Sequence, residues 1–306
     1  MKRNPLFRIV LSAWVGIGLA AGAAAAGNDP PAYVGSETCR ACHEDLWQSF
    51  QLNPHHRAEL DREVLPAEAG CEGCHGPGSL HAEAAGERSD PGFATIHAFG
   101  KMSAQQVSDA CRSCHRAGDQ FYWDQGRHAS EGVSCTDCHS VHHSQSPLGT
   151  ALLRDQEPTA VCLRCHVDKH AEIARTAHMP VREGGMTCAD CHNPHGSAGP
   201  QGLRAATVND LCYTCHADKR GPFLWEHAPV RESCTTCHLA HGANNAKVLA
   251  SREPFLCQRC HAATRHPGTL YDRPDLTSNR LLNRSCTNCH SQIHGSNHPS
   301  GKTFLR

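Results

Sequence analysis

Mostly coil with short helices, little or no sheet, and an elongated form without an aliphatic core: this is the fold class the sequence predicts. Three observations carry it. Only 39% of the 306 residues are hydrophobic and 5% aromatic, below the roughly 45–50% apolar of ordinary globular chains, so a Leu/Ile/Phe core is undersupplied. Twenty Cys and 25 His exclude a typical cytosolic α/β enzyme and point to metals, disulfides or haem. Eighteen Pro and 26 Gly are spread through the chain, which interrupts long regular elements.

Lys2, Arg3 and Arg8 precede an apolar run from Ile9 to an alanine tract ending at Ala26. That layout predicts a secretory signal peptide over residues 1–26, with a small-residue exit near Ala24–Ala26. The rival is an uncleaved anchor, since about 18 apolar residues can just span a bilayer, but the run is rich in Ala and Gly. The expected mature chain, residues 27–306, has no other apolar stretch of spanning length and is read as exported and soluble. Without those three basic residues it carries 26 Lys+Arg against 30 Asp+Glu, a net charge of -4. No basic surface for nucleic acid is implied.

Every cysteine belongs to a C-x-x-C pair, and all ten pairs are followed directly by His. In chain order they are Cys39/Cys42/His43, Cys71/Cys74/His75, Cys111/Cys114/His115, Cys135/Cys138/His139 and Cys162/Cys165/His166. The remaining five are Cys188/Cys191/His192, Cys212/Cys215/His216, Cys234/Cys237/His238, Cys257/Cys260/His261 and Cys286/Cys289/His290. Thiols three positions apart share one face of a helical turn, where they can add to the two vinyl groups of a haem, and the adjacent His reaches the iron. Zinc ribbons and disulfides also use C-x-x-C pairs but do not require a His after every second Cys. With 25 His in 306 residues, ten such coincidences have a probability on the order of 10⁻¹¹, so c-type attachment is the reading. Ten covalently attached haem c groups, about one per 28 residues, make this a multihaem cytochrome c fold in which porphyrin faces replace the missing core. The apo chain is expected to be unfolded.

The fifteen histidines outside the motifs decide between a wire and an enzyme. After the first motif of successive pairs, a His follows the proximal His at His55, His128, His178, His227 and His266; after the second, at His81, His142, His195, His241 and His294. The spacing predicts five tandem two-haem units over about 39–81, 111–142, 162–195, 212–241 and 257–294. The letters agree: AHMPVREGGMTCADCHNPHG from Ala177 resembles EHAPVRESCTTCHLAHG from Glu226. A His three residues past a proximal His cannot easily reach the far face of the same macrocycle, so it is expected to bind a neighbouring iron. These ten are the expected distal ligands, giving low-potential bis-His haems throughout. His56, His97, His143, His170 and His298 are spare, with surface or propionate-contacting roles expected, and the choice within the doublets His55/His56 and His142/His143 stays open. His266 fits the spacing least well. Met102, Met179 and Met186 do not recur in the repeat, so Met ligation is not expected. Residues 82–108 read as an ordinary surface loop, and Trp47, Trp123 and Trp225 as haem-packing residues.

The ten motifs, HGPGSLHAE from His75, the HAPV and NPHG patterns and IHGSNHPSG from Ile293 together resemble the MtrA/DmsE family of decahaem c-type cytochromes over the whole mature chain. The resemblance implies a periplasmic electron carrier that inserts in an outer-membrane β-barrel porin. It would pass electrons between a periplasmic or inner-membrane cytochrome and an extracellular multihaem cytochrome or terminal reductase, in anaerobic respiration or iron(II) and metal redox. It also implies motif cysteines in thioether bonds, motif histidines as proximal ligands and repeat histidines as distal ligands.

An electron conduit without a catalytic site is therefore the leading expectation. Two alternatives stay open at this level. A multihaem oxidoreductase would leave one iron open, with the haem near His266 the first candidate, and a freely diffusing periplasmic shuttle would need the same haems without a barrel.

Overall fold

The computed structural model describes residues 30–56, 69–143, 151–261, 284–299 and 301–305. Residues 1–26 and His266 lie outside them. Among the described residues the longest helix is Ala104–Arg112, there is no strand, and pairing is limited to isolated bridges. The fold is mostly coil with short helices, as the sequence predicts. No helix of the described residues is long and apolar enough to cross a membrane.

The helical turns fall on the motifs. Ser36–Arg40, Gly70–His75, Ala104–Arg112, Cys135–Cys138, Pro158–Leu163, Cys188–Cys191, Val208–Tyr213 and Phe255–Gln258 each hold at least one motif cysteine, and the 3-10 turns Cys234–Thr236 and Cys286–Asn288 do the same for motifs eight and ten. Local chemistry starts several of them. Ser134 and Asp137 form a capping box around Cys135–Cys138, as do Thr187 and Asp190 around Cys188–Cys191. In each, the Asp between the two cysteines satisfies orphan N–H groups at the start of the turn.

Side-chain burial is sparse. The buried apolar side chains are Phe50, Ala84, Val107, Trp123, Val161, Ile173, Leu203 and Ala243, scattered rather than clustered. That is what an undersupplied aliphatic core should look like when segments are ordered around something other than one another.

Backbone contacts between distant segments position the rest. Three His-Gly pairs pack against the segments that follow motifs three, five and seven. A Cβ on Gly196 would lie 2.6 Å from the Tyr122 carbonyl, one on Gly242 2.1 Å from the Glu172 carbonyl, and one on Gly295 2.2 Å from the Phe223 ring. Only glycine allows approaches this close. Ala177 and Ala243 exchange backbone hydrogen bonds of 2.9 and 2.7 Å, and Trp225 and Ser296 exchange bonds of 2.9 and 3.0 Å. Each clamp joins residues more than sixty positions apart, and each brings a repeat histidine onto another unit.

Candidate haem-binding centres

The motif cysteines run in sequence order. Cys39 hydrogen-bonds to Cys71, Cys111 to Cys135, Cys162 to Cys188, Cys212 to Cys234 and Cys257 to Cys286. Between those pairs, Cys74 interacts with Cys111, Cys138 with Cys165, Cys191 with Cys215 and Cys237 with Cys260. Motifs one and two, three and four, five and six, seven and eight, and nine and ten thus meet through their first cysteines. Burial pushes the Cys39 and Cys212 thiols up to about 11, so in the unligated chain these attachment points are neutral thiols.

Spacing alone does not distinguish the two thiols of a motif, and the structure places them at different depths in most motifs. The first cysteine of every motif is half-buried, whereas Cys42, Cys74, Cys114, Cys165, Cys215, Cys260 and Cys289 are exposed. The described thiol contact from motif two reaches Cys111 rather than Cys114, and Cys114 Sγ is met instead by its own neighbour, the Ser113 hydroxyl, at 3.7 Å. Cys289 is the second thiol of the last motif, and it is Cys286 that meets motif nine. The second cysteines Cys138, Cys191 and Cys237 are half-buried like the first ones. The two thiols of each motif would hold a haem c by thioether bonds, with the adjacent histidine offered to its iron.

Eight proximal histidines face a second imidazole. Six pairs are nearly parallel: His43–His81 at 6.5 Å between ring centroids and 16°, His75–His142 at 6.1 Å and 20°, His139–His195 at 6.0 Å and 14°, His192–His241 at 6.1 Å and 17°, His227–His261 at 6.1 Å and 22°, and His238–His294 at 6.2 Å and 16°. Two are steeply crossed, His55–His115 at 5.9 Å and 85° and His128–His166 at 6.1 Å and 55°. A metal–imidazole bond of about 2 Å, plus a little over 1 Å from nitrogen to ring centre on each side, puts two trans imidazoles about 6 Å apart. The residues fit a metal atom between them, and C-x-x-C-H beside each pair fits haem.

The pairing follows a rule. A histidine after an even motif faces the preceding even motif, as His142 faces His75, His195 faces His139, His241 faces His192 and His294 faces His238. A histidine after an odd motif faces the following odd motif, as His55 faces His115, His128 faces His166 and His227 faces His261. His81, with no even motif before its own, closes back on His43.

Most of these rings are fixed through Nδ1. Among proximal histidines of even motifs, His75 donates to the His97 carbonyl (2.8 Å), His139 to Ala151, His192 to Gln201 (3.2 Å), His238 to Lys247 (2.9 Å) and His290 to Thr303. A carbonyl only accepts, so Nδ1 carries the proton and Nε2 is left with a lone pair for metal. Leu152, Gln201, Lys247, Val248 and Phe304 at these acceptor turns adopt positive φ of 48–59°, strained conformations that aim the carbonyls inward. At the odd-motif centres the brace sits on the second histidine: His81 donates to Phe93 (2.7 Å) and His128 to Pro194 (2.8 Å), while His55 Nδ1 meets the Asn53 carboxamide oxygen at 2.9 Å.

Several of these parts lack a readable sequence signal. Residues 82–108 read in sequence as an ordinary loop; instead they supply the Phe93 and His97 carbonyls that hold two site histidines. His97, expected at the surface or on a propionate, is exposed and also exchanges a 2.7 Å backbone bond with His75. Arg154 and Arg204 reach back from two braces to the Thr136 and Ala189 carbonyls inside motifs four and six. The related letters ALLR, QGLR and TFLR are the available signal. In each doublet the first member faces a proximal ring, whereas His56 packs on Trp47 and Phe50. His170 and His298 are exposed. Trp123 is buried against His195, at 6.3 Å between ring centroids.

Two centres are not assembled in this way. His178 is not brought onto His216: its Nε2 meets Glu183 at 3.0 Å and its Nδ1 donates to the Arg175 carbonyl at 2.7 Å. For His290, the remaining repeat histidine, His266, lies outside the described residues.

A family model, the doubled CXXCH motif, matches residues 128–171, 178–221 and 227–266. Its windows begin at the repeat histidines His128, His178 and His227, one motif out of phase with the units read from spacing. "Multiheme cytochrome MtrA" of Shewanella baltica (strain OS185) is 39% identical over 292 residues, covering 92% of this chain and 84% of that protein. The chain belongs to the MtrA family of multihaem c-type cytochromes. It also resembles "Cytochrome c-type protein NrfB" of Escherichia coli O6:H1, 30% identical over 141 residues, 39% of this chain and 71% of that one. Like its MtrA relative, it is a haem c-binding electron-transfer protein. The bound haem iron supplies reversible one-electron chemistry; the chain anchors, ligates and orients it.

Proposed function

We propose that this MtrA-family chain is a periplasmic decahaem electron conduit. Ten haem c groups attach at the ten cysteine pairs, with His43, His75, His115, His139, His166, His192, His216, His238, His261 and His290 as proximal ligands. His55, His81, His128, His142, His178, His195, His227, His241, His266 and His294 serve as distal ligands. The observation that carries this reading is the set of eight histidine pairs, each with one motif histidine and ring centroids 5.9–6.5 Å apart, that join motif to motif along the chain. Tunnelling falls steeply with distance, and histidine pairs that tie one motif to the next keep the gaps short. By the same end-closing logic that turns His81 onto motif one, His266 is the ligand for motif ten.

The five two-haem units then act as one wire. After removal of residues 1–26 the chain works in the periplasm, seated in an outer-membrane β-barrel porin. There it connects a periplasmic or inner-membrane cytochrome with an extracellular multihaem cytochrome or terminal reductase, in anaerobic respiration or extracellular iron(II) and metal redox. Kinship to MtrA over 84% of that relative's length supports this setting. The test is fractionation of tagged holoprotein from its own cells. Co-purification of a β-barrel from detergent-solubilised outer membranes is expected. Recovery of all the haem protein in the soluble periplasmic fraction, with no barrel attached, would replace the conduit by a shuttle.

One observation favours a second reading, an oxidoreductase with one open iron. The Glu183 carboxylate occupies the nitrogen that His178 would offer to the iron beside His216. On this reading the open position lies at motif seven, rather than near His266. The oxidised protein would then contain one high-spin haem, and Glu183→Gln would convert it to low spin. A wholly low-spin protein excludes this reading.

A further inference from the structure

The histidine pairs His139–His195 and His192–His241 have almost the same geometry: ring centroids 6.0 and 6.1 Å apart, planes inclined by 14° and 17°. Both distal histidines sit in His-Gly clamps, and both proximal histidines donate from Nδ1 to a backbone carbonyl. They differ behind the distal ring. His195 Nδ1 is buried with no hydrogen-bond partner, whereas His241 Nδ1 lies 3.3 Å from Glu172 Oε2. Every other Nδ1 partner described above is neutral, a backbone carbonyl or a carboxamide.

The placement of Glu172 is built into the fold. Glu172 lies near the end of helix Val167–Ile173, and its carbonyl is the atom against which Gly242 packs. Arg175 donates to the Gly242 carbonyl at 3.1 Å, and the Ala177–Ala243 exchange closes the clamp two residues beyond His241. Ile173 and Ala243, one residue along on either side of the contact, are 6% and 1% exposed. Lys169 Nζ holds the other carboxylate oxygen, Oε1, at 3.0 Å, which orients Oε2 toward the histidine. In the clamps of Gly196 and Gly295 the corresponding contacts are with Tyr122 and Phe223, neither of which offers an anion.

We infer that Glu172 is a positioning residue for the sixth haem, the one attached at Cys188 and Cys191. By accepting the His241 Nδ1 proton in a charge-assisted hydrogen bond, it makes that imidazole a stronger electron donor. A ligand so braced favours the ferric over the ferrous iron. The carboxylate charge itself acts in the same direction, reduced by Lys169. Reduction at this position adds one electron, supplied by an adjacent haem, and forms or breaks no bond; Nδ1 keeps its proton throughout. The sixth haem is therefore set lower in potential than the fourth, its geometric twin, which places a low-potential position inside the row.

This inference rests on His241 being an iron ligand, so two variants of the full-length holoprotein are compared with wild type by redox titration followed by EPR. His241→Ala is expected to give one high-spin ferric haem. Glu172→Gln is expected to leave all haems low-spin while one of them becomes easier to reduce by about tenfold, a shift of about 59 mV for a one-electron couple. Glu172→Asp should restore part of the lower potential. A high-spin signal in His241→Ala together with a Glu172→Gln titration superimposable on wild type would overturn the brace and leave the ligation standing. No high-spin signal in His241→Ala would overturn the ligand assignment, and the inference with it.

Discussion

Glu72 sits between the cysteines of motif two, is 4% exposed, and accepts backbone hydrogen bonds from Val34 (3.0 and 3.1 Å), Gly35 (2.7 Å) and Gly78 (2.7 Å). It ties the segment around residue 34 to the second motif. Glu72→Gln puts an amide donor against these N–H groups and is expected to cost roughly 2–3 kcal/mol of local stability. Amide exchange should show it as reduced protection at Val34 and Gly35. Glu253 does the same for motif ten. Burial alone would raise its carboxyl, but hydrogen bonds from the Ser285 hydroxyl, the Thr287 N–H (3.0 Å) and the Thr287 hydroxyl hold it below the ordinary glutamate range. A carboxyl lowered by folding contributes stability above its unfolded pKa and loses it as pH falls through the folded value. Glu253→Gln is therefore expected to loosen the tenth motif near neutral pH by about 1 kcal/mol, given partial exposure. In exchange measured against pH, the difference from wild type should close under acid conditions. Neither role was legible in the sequence, because a glutamate in C-E-G-C or before Pro254 looks like any exposed acid until its distant partners are known.

The His-Gly clamps make a different kind of statement. The letters NPHG and LAHG already marked His195 and His241 as repeating positions. What they could not show was the partner segment, since Tyr122, Glu172 and Phe223 share no residue type and lie seventy or more positions from their clamp glycines. Gly242→Ala would put a methyl 2.1 Å from the Glu172 carbonyl and is expected to destabilise the clamp by about 1–3 kcal/mol. Denaturation of the holoprotein should register it, with the Glu172–His241 hydrogen bond the first to break. Ring orientation was equally invisible to spacing. Parallel imidazole planes split the iron d orbitals that they share, whereas crossed planes leave them nearly degenerate and give strongly anisotropic low-spin signals. EPR of the oxidised protein should therefore show two classes. The centres of His55–His115 and His128–His166, crossed at 85° and 55°, belong to the anisotropic class. Their reassignment to the rhombic class in single-haem variants would contradict the geometry.

Across the chain, attachment was readable and interlocking was not. A C-x-x-C-H motif is a local chemical device, so ten of them pointed to haem c binding and to a chain without a conventional core. Even there, spacing could not tell the half-buried Cys111 from the exposed Cys114, because depth is set by the neighbouring motif and not by the motif itself. The histidine pairs cross between separate units: His55, His128 and His227 reach forward, His142, His195, His241 and His294 reach back, His81 closes the first end, and His178 departs from the pattern. Every described pair except His43–His81 joins a histidine of one unit to a motif of another, which ties the units together. Sequence spacing suggested the crossing but not its direction, and it offered no hint that Glu183 competes for His178. The most direct test of the account is near-infrared magnetic circular dichroism of the oxidised holoprotein, calibrated against its haem content. The account expects ten low-spin haems per chain, all with bis-histidine ligation. A stoichiometric high-spin haem, or fewer than ten bis-histidine centres, would contradict it.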